Sequence, residues 1–300
     1  MYLINFRYNF YCSNHKNSRT NKNLIYNLYN YKTLILIYKY IDVSKGTPMD
    51  KIKKNREFFK ADFEILKQIR TDKQKGILPL PFQKEYDKNS ELIDLPSINK
   101  NILVKSNVLD CIQDRRSIRK YSNEKITLDE LSYLLWATQG IQSVKNNFSA
   151  LRTVPSAGCT HPFETYLIIN NINDLNPGIY RYLPLEHKLL FVKNLNNITD
   201  EINKATPNQP FVQDFVSKSA VVFAWSCIPY RSEHRFNITA HKKILIDIGH
   251  VCQNLYIASE SLNCGTCAIG IYDQNIIDDM LDLDGEDEFV IYMACLGKKF

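Results

Sequence analysis

Three hundred residues, 44% hydrophobic and 23% charged, have the balance of a soluble globular chain forming one large domain or two small ones. Glycine and proline are scarce, at 10 and 11, which excludes collagen-like and linker-rich classes, and no apolar run approaches the roughly 18 residues that span a bilayer. The net charge of +6 sits in residues 1–48, so residues 49–300 are neutral and lack the electrostatic footprint of a nucleic-acid-binding domain.

Residues 1–48 differ in composition from the rest, with eight tyrosines and eight asparagines among isoleucine and lysine, all residues with AT-rich codons. They lack the layout of a secretory signal or an arginine-rich transit peptide. Lys45-Gly46 can be encoded by a purine-rich ribosome-binding sequence just upstream of the Met49 codon. The expectation is a non-native or disordered leader over 1–48, with the native protein beginning at Met49. Eight cysteines in a long chain without a secretory signal are expected to be reduced, cytoplasmic thiols.

From Met49 to about Arg70, Phe58, Phe59, Phe63, Leu66 and Ile69 recur at helical spacing and predict one amphipathic helix. Pro79, Pro81 and Pro96 mark an extended arm that wraps a partner surface or its own domain, so residues 49–106 read as a helix and an arm. The main domain is expected over 107–300. Val108 to Asp114 reads as a short helix, and Thr127 with Glu130 forms a capping box ahead of Leu131, Leu134, Leu135, Trp136 and Thr138. Thr165 to Asn170, Val221 to Trp225 and Phe289 to Leu296 have strand composition. Leu245 to Leu262 reads as a long apolar helix closed by Asn263 or Gly265. Helices and strands alternate irregularly, without a βαβ repeat, which predicts an α+β domain.

Three constellations carry candidate chemistry. Arg115, Arg116, Ser117 and Arg119 place three rigid guanidinium forks and a hydroxyl within five residues, a set that an anion such as phosphate would stabilise. Thr153 to Pro162, with Pro155, Ser156, Ala157 and Gly158, is a turn of small residues whose backbone can approach a ligand closely. Gly265-Thr266-Cys267-Ala268-Ile269-Gly270 is a second such stretch, with neither a dinucleotide fingerprint nor a P-loop spacing. Cys264-x-x-Cys267 has the spacing of a redox pair, but one pair alone is unspecific, and no second pair or spaced histidine points to zinc. His234, His241 and His250 lack a metal-ligand spacing, and no Gly-x-Ser-x-Gly elbow anchors a serine hydrolase.

In this order, the segments resemble the nitroreductase family of FMN-dependent oxidoreductases over residues 107–300. The resemblance rests on Asp114-Arg-Arg-Ser-Ile-Arg119, Leu134-Leu-Trp-Ala-Thr-Gln-Gly140, Arg152-Thr-Val-Pro-Ser-Ala-Gly158 and Pro177-Gly-Ile-Tyr-Arg-Tyr182. It continues through Asp247-Ile-Gly-His-Val-Cys-Gln-Asn-Leu255, Gly265-Thr-Cys-Ala-Ile-Gly270 and Leu296-Gly-Lys298, and is greatest to the SagB-type, azoline oxidase-like subgroup. It implies a central, mainly antiparallel sheet flanked by helices, a homodimer, and one FMN in each of two interface clefts. Arg115, Arg116, Ser117 and Arg119 would hold the FMN phosphate and ribityl groups, Pro155 to Gly158 would line the flavin, Gly265 and Thr266 would lie near its ring, and Gly297 with Lys298 would close on the phosphate.

The resemblance further implies ping-pong chemistry: NAD(P)H passes a hydride to flavin N5, and a nitroaromatic, quinone or similar small acceptor then takes the electrons. No protein acid or base is assigned. The azoline oxidases carry a Lys-Tyr pair before the long helix, and the nearest equivalent here is Arg235-Phe236. Arginine is no general base at neutral pH and phenylalanine cannot carry a proton. General flavin reduction therefore ranks above azoline oxidation of a peptide, and a non-catalytic flavin-binding role is the other alternative.

Overall fold

The computed structural model describes residues 48–300 apart from 62, 208 and 210–213. The leader expected over 1–48 therefore lies, up to residue 47, outside the described residues. Contacts divide the chain into Met1–Ala61 and Asp62–Phe300. The first unit contributes helix α1 (Pro48–Glu57); the second opens on α2 (Phe63–Gln68). Two short helices thus stand where the sequence predicts one. The amides of Phe58, Phe59 and Lys60 bond to carbonyls three residues back, which tightens and ends α1, and Phe58 and Phe59 stay exposed against each other.

The second unit is built on a seven-stranded sheet in the order β1-β6-β5-β4-β7-β9-β8, every neighbouring pair antiparallel. Its strands are β1 (Leu92–Asp94), β4 (Phe163–Ile169), β5 (Gly178–Leu183), β6 (Lys188–Lys193), β7 (Val221–Cys227), β8 (Cys264–Ile269) and β9 (Phe289–Lys298). A separate hairpin pairs β2 (Ile141–Asn146) with β3 (Ser149–Arg152). The helices are α3 (Val108–Asp114), α4 (Leu128–Gln139), α5 (Ile198–Ala205), α6 (Tyr230–Phe236), α7 (Ala240–Ser261) and α8 (Gln274–Met280).

Both faces of the sheet are covered, which is why its central strands read as continuous apolar runs rather than as alternation. Leu167, Phe223, Trp225 and Leu296 face Leu131, Leu135, Val251 and Leu255 of α4 and α7. Tyr166, Ile168, Val222 and Met293 face Ile198 and Ile202 of α5 and Ile277 and Met280 of α8. Side chains one residue apart on a strand therefore enter opposite halves of the core.

Local signals set the ends of the helices. The Thr127 hydroxyl accepts the Glu130 amide, and the Glu130 carboxylate accepts the Thr127 amide, which closes the capping box on α4. Thr127→Ala is expected to cost about 1 kcal/mol of stability in urea unfolding, because it strands a helix-end amide. Asn263, at φ 53, closes α7 in the left-handed region that asparagine tolerates.

The arm lies on its own domain and meets buried charge with its backbone. Phe82 is buried, and its carbonyl accepts Nη2 of the buried Arg152 at 2.7 Å. The carbonyls of Lys84 and Glu85 accept Arg181 Nη2 at 3.2 and 3.0 Å, and the Lys84 amide donates to Glu164 at 2.7 Å. Further on, β1 pairs with β6, and the amides of Val104 and Lys105 donate to the Ser261 carbonyl at 2.8 and 3.0 Å.

Candidate active site

Residues 115–119 leave α3 and run along the open edge of β8. The Ile118 amide donates to the Thr266 carbonyl at 3.0 Å, and Ser117 bridges Thr266 in parallel, so the segment extends the sheet. The glycines beneath serve close packing. A Cβ at Gly265 would lie 2.6 Å from Ile118, and one at Gly297 would lie 2.8 Å from the Tyr121 ring. Thr266 is buried, and its hydroxyl donates inward to the Cys295 carbonyl at 2.8 Å. Lys298 is also buried, and its ammonium pairs with Glu130. Burial pulls the Lys298 pKa down, but the Glu130 hydrogen bond together with the charges of Cys264, Glu130 and Glu124 leaves the group above its ordinary value.

The guanidiniums over this floor are not equivalent. Arg115 is half-buried and stacks on the Tyr256 ring, 5.2 Å from its centroid. It has no carboxylate partner among the described residues, because the adjacent Asp114 pairs with Lys105 at 2.6 Å. That hydrogen bond holds the Asp114 carboxyl below the usual range. Arg116 turns back instead, donating Nη1 to the carbonyls of Gln113 and Arg115 at 2.9 and 2.8 Å. Arg119 lies 5.8 Å from the Phe215 ring and bonds the Cys267 thiol, whose pKa burial raises against Arg119's opposing effect. Ser117 is exposed, with its Oγ 3.0 Å from the Tyr256 hydroxyl, which accepts the Ala268 amide at 2.9 Å. An unpaired fork beside an exposed hydroxyl fits the phosphate end of an FMN.

The second group gathers around the turn at 155–158. Asp247 of α7 accepts the Ser156 hydroxyl at 2.7 Å and the Ala157 amide at 2.9 Å. Pro155 stays exposed. Gly158, Cys159 and His161 all have left-handed φ values, of 62°, 56° and 41°. Arg235 of α6 lies flat on Gly158 and donates Nη1 to its carbonyl at 3.1 Å; a Cβ at 158 would come within 2.7 Å of Arg235 Nε. Only glycine satisfies both the torsion and the approach here. The Phe236 ring lies 5.5 Å from the Arg235 guanidinium and packs at the margin of the core.

Helix α7 ties the groups together, since Asp247 holds one and Tyr256 touches the other, about 13 Å apart at 1.5 Å per residue. Asn254, between them, donates to the Ala137 carbonyl at 2.8 Å. Asp247 and Asn254 stand in the motif quoted above, where two polar residues seven apart on an apolar helix mark one face, yet sequence reasoning gave them no role. Tyr256, the one Phe, Tyr or Trp on that helix, was given no role either.

Burial raises the Asp247 pKa above 3.8, against the hydrogen bonds from Ser156 and Ala157. A raised carboxyl stabilises the fold most below its unfolded pKa and loses that contribution as pH rises through its folded one. The stability of the unsubstituted protein relative to D247N is therefore expected to fall with rising pH over that window. D247A, which strands the Ala157 amide, is expected to lose about 2 kcal/mol at neutral pH. Urea melts across pH check both.

Cys264 and Cys267 do not form a redox pair. Cys264 enters the α7 half of the core and Cys267 the opposite half, so the strand alternation separates their thiols across the sheet. Among the described residues, no group of three or more His, Cys, Asp or Glu converges on a metal position, and no helix is long and apolar enough to cross a membrane.

The nitroreductase family profile matches residues 112–298, the span that carries β4 to β9, α7 and the arginine segment. The chain belongs to the nitroreductase family. A protein named as a nitroreductase in Methanocaldococcus jannaschii is 27% identical over 190 residues, 63% of this chain and 90% of that one. The trifolitoxin-processing protein TfxB of Rhizobium leguminosarum is 22% identical over 156 residues, 51% of this chain but only 41% of TfxB. Among solved structures, a protein described as a nitroreductase from Ralstonia eutropha superposes with a TM-score of 0.56 at 21% identity, over 75% of this chain and 96% of that one. The E. coli microcin synthetase McbBCD complex, with truncated pro-MccB17 bound, gives 0.51 at 16% identity, over 71% and 79%. The family's α+β fold, a mainly antiparallel sheet flanked by helices, and the relation to the azoline oxidase-like subgroup agree with the sequence reading.

Proposed function

We propose that this oxidoreductase binds FMN and passes electrons from NAD(P)H to a small acceptor such as a nitroaromatic or quinone. The observation that carries the reading is Arg115, which stacks on Tyr256 without a counter-ion and beside the exposed Ser117 hydroxyl. Bound FMN would supply the two-electron carrier, accepting hydride at N5 and returning it to the acceptor. Arg115, Ser117 and Arg119 would hold the phosphate end. Lys298 would reach it by releasing Glu130, and Arg116 would act through the carbonyls it caps. The turn at 155–158 would line the ring, held by Asp247 so that small side chains and backbone face the flavin. These residues bind and orient, which is the protein's main contribution to such hydride transfer.

The chain would work as a homodimer, which the exposed Val108, Leu109 and Ile112 of α3 and Leu245 and Ile246 of α7 support as an apolar surface to cover. Its seven described cysteines are all free, in keeping with a cytoplasmic setting. Anaerobic stopped-flow reduction by NADH and NADPH tests the reading. Flavin bleaching by either, followed by reoxidation with a nitroaromatic, is expected; a protein that stays colourless after soaking in FMN would overturn it.

Azoline-to-azole dehydrogenation of a peptide is the second reading, favoured by the likeness to TfxB and to the microcin synthetase. It ranks lower because Phe236 offers no phenol and Arg235 is committed to the Gly158 carbonyl. Turnover confined to a thiazoline-bearing peptide would reverse the ranking.

A further inference from the structure

Beside the turn at Gly158, between the arm, the β2–β3 hairpin and α6, lies a cavity of about 280 Å³. Three cations line it, Lys73, Arg231 and Arg235, and no carboxylate does. Arg231 is buried and spends Nη2 on Glu164 at 2.6 Å, but its Nε and Nη1 find no acceptor among the described residues. Buried guanidinium donors left unmade are costly, and the absence of an acceptor here is unusual. Arg235 bonds only the Gly158 carbonyl and stacks on Phe236, and Lys73 has no ion-pair partner among the described residues. The Arg231–Glu164 pair cancels, so the wall carries a surplus of two positive charges. The rest of the lining is mixed: Ile77, Pro79, Leu80 and Phe148 give an apolar patch beside the polar Asn146, Ser149 and Thr160, and His234 is engaged with the Ile77 carbonyl at 2.7 Å.

We propose that this cavity is a binding site for a small organic carboxylate, seated with its anionic end toward Arg235 and Lys73 and its apolar body against Leu80 and Phe148. A flat carboxylate matches the guanidinium fork and leaves the hydrophobic remainder of the ligand in contact with the apolar wall. Because Gly158 belongs both to the cavity wall and to the turn expected to line the flavin, the site selects carboxylate-bearing electron acceptors; that last step rests on the oxidoreductase reading above.

Calorimetric titration of the purified holoprotein with benzoate, and with benzamide as its neutral isostere, tests the site without turnover. Benzoate is expected to bind about tenfold more tightly, a preference that shrinks with added salt. R235Q and K73Q should each remove most of it and R235K should retain it, with circular dichroism establishing that the variants are folded. Equal affinity for the two probes, or a preference that survives both substitutions, overturns the site. In a second arm, kcat/KM for 4-nitrobenzoate should exceed that for nitrobenzene by a similar factor. Turnover of nitrobenzene without a benzoate preference removes the cavity's role and leaves the reductase intact. Benzoate binding with neither nitro compound reduced does the opposite, keeping the carboxylate site and ending the reductase reading.

Discussion

A protein carrying R115A and S117A together is expected to purify folded but colourless, with FMN affinity about a hundredfold below that of the unsubstituted chain. Hydrogen bonds to charged groups contribute roughly 1.5–3 kcal/mol, and each 1.4 kcal/mol is tenfold, so losing a guanidinium and a hydroxyl together reaches that range even at a partly exposed site. Arg116 provides the contrast. Its Nη1 already serves the carbonyls of Gln113 and Arg115, so R116A is expected to weaken FMN less than about threefold and to act mainly on the end of α3. Fluorescence titration of FMN at fixed ionic strength measures all three proteins. Unchanged affinity in the double variant, or an R116A effect as large, would mean that the phosphate is held elsewhere.

The second large effect concerns Glu164. This buried carboxylate accepts Arg231 Nη2 at 2.6 Å and the Lys84 amide at 2.7 Å, and it opposes the pull of burial that brings the Arg152 guanidinium down to about 10. Arg152, Arg181, Arg231 and Lys84 outnumber Glu164 and Glu288 in this region. Removing an anion from a cluster already rich in cations is therefore worse than removing a cation. E164A is expected to cost about 3–5 kcal/mol, the usual penalty for leaving a buried charge unpaired, and to lower Tm by roughly 10 °C. R231M, which relieves repulsion on Arg152 while filling the space with apolar atoms, should cost clearly less. Urea and thermal melts of the two variants decide the order, and equal losses would refute the asymmetry.

The sequence made some features legible because their causes are local. Helix α3, the capping box at Thr127 and Glu130, and the left-handed stop at Asn263 depend on residues within a few positions of one another. Strands β4, β7 and β9 were visible as apolar runs because two helical layers cover them. Strand β8 was hidden: in Cys264-Gly-Thr-Cys-Ala-Ile269 the glycine at 265 makes room for Ile118, and that cause is more than 100 residues away in the chain. The hairpin β2–β3 is polar and exposed along β2, so no periodicity announced it. At the candidate site, arginines clustered in sequence were conspicuous. Their division into one unpaired fork, one helix cap and one thiol partner depends on Tyr256, Gln113 and Cys267, which no spacing rule links to them.

The arm carries a lesson for anyone choosing where to cut the gene. A fragment starting at Asn107, the edge suggested by motif matching, would forfeit the Phe82, Lys84 and Glu85 carbonyls that three interior guanidinium bonds rely on, together with an outer strand and the latch on Ser261. Such a minimal version would emerge with bare arginines in its middle and would clump rather than fold. For this molecule the smallest expressible unit is larger than its recognisable signature.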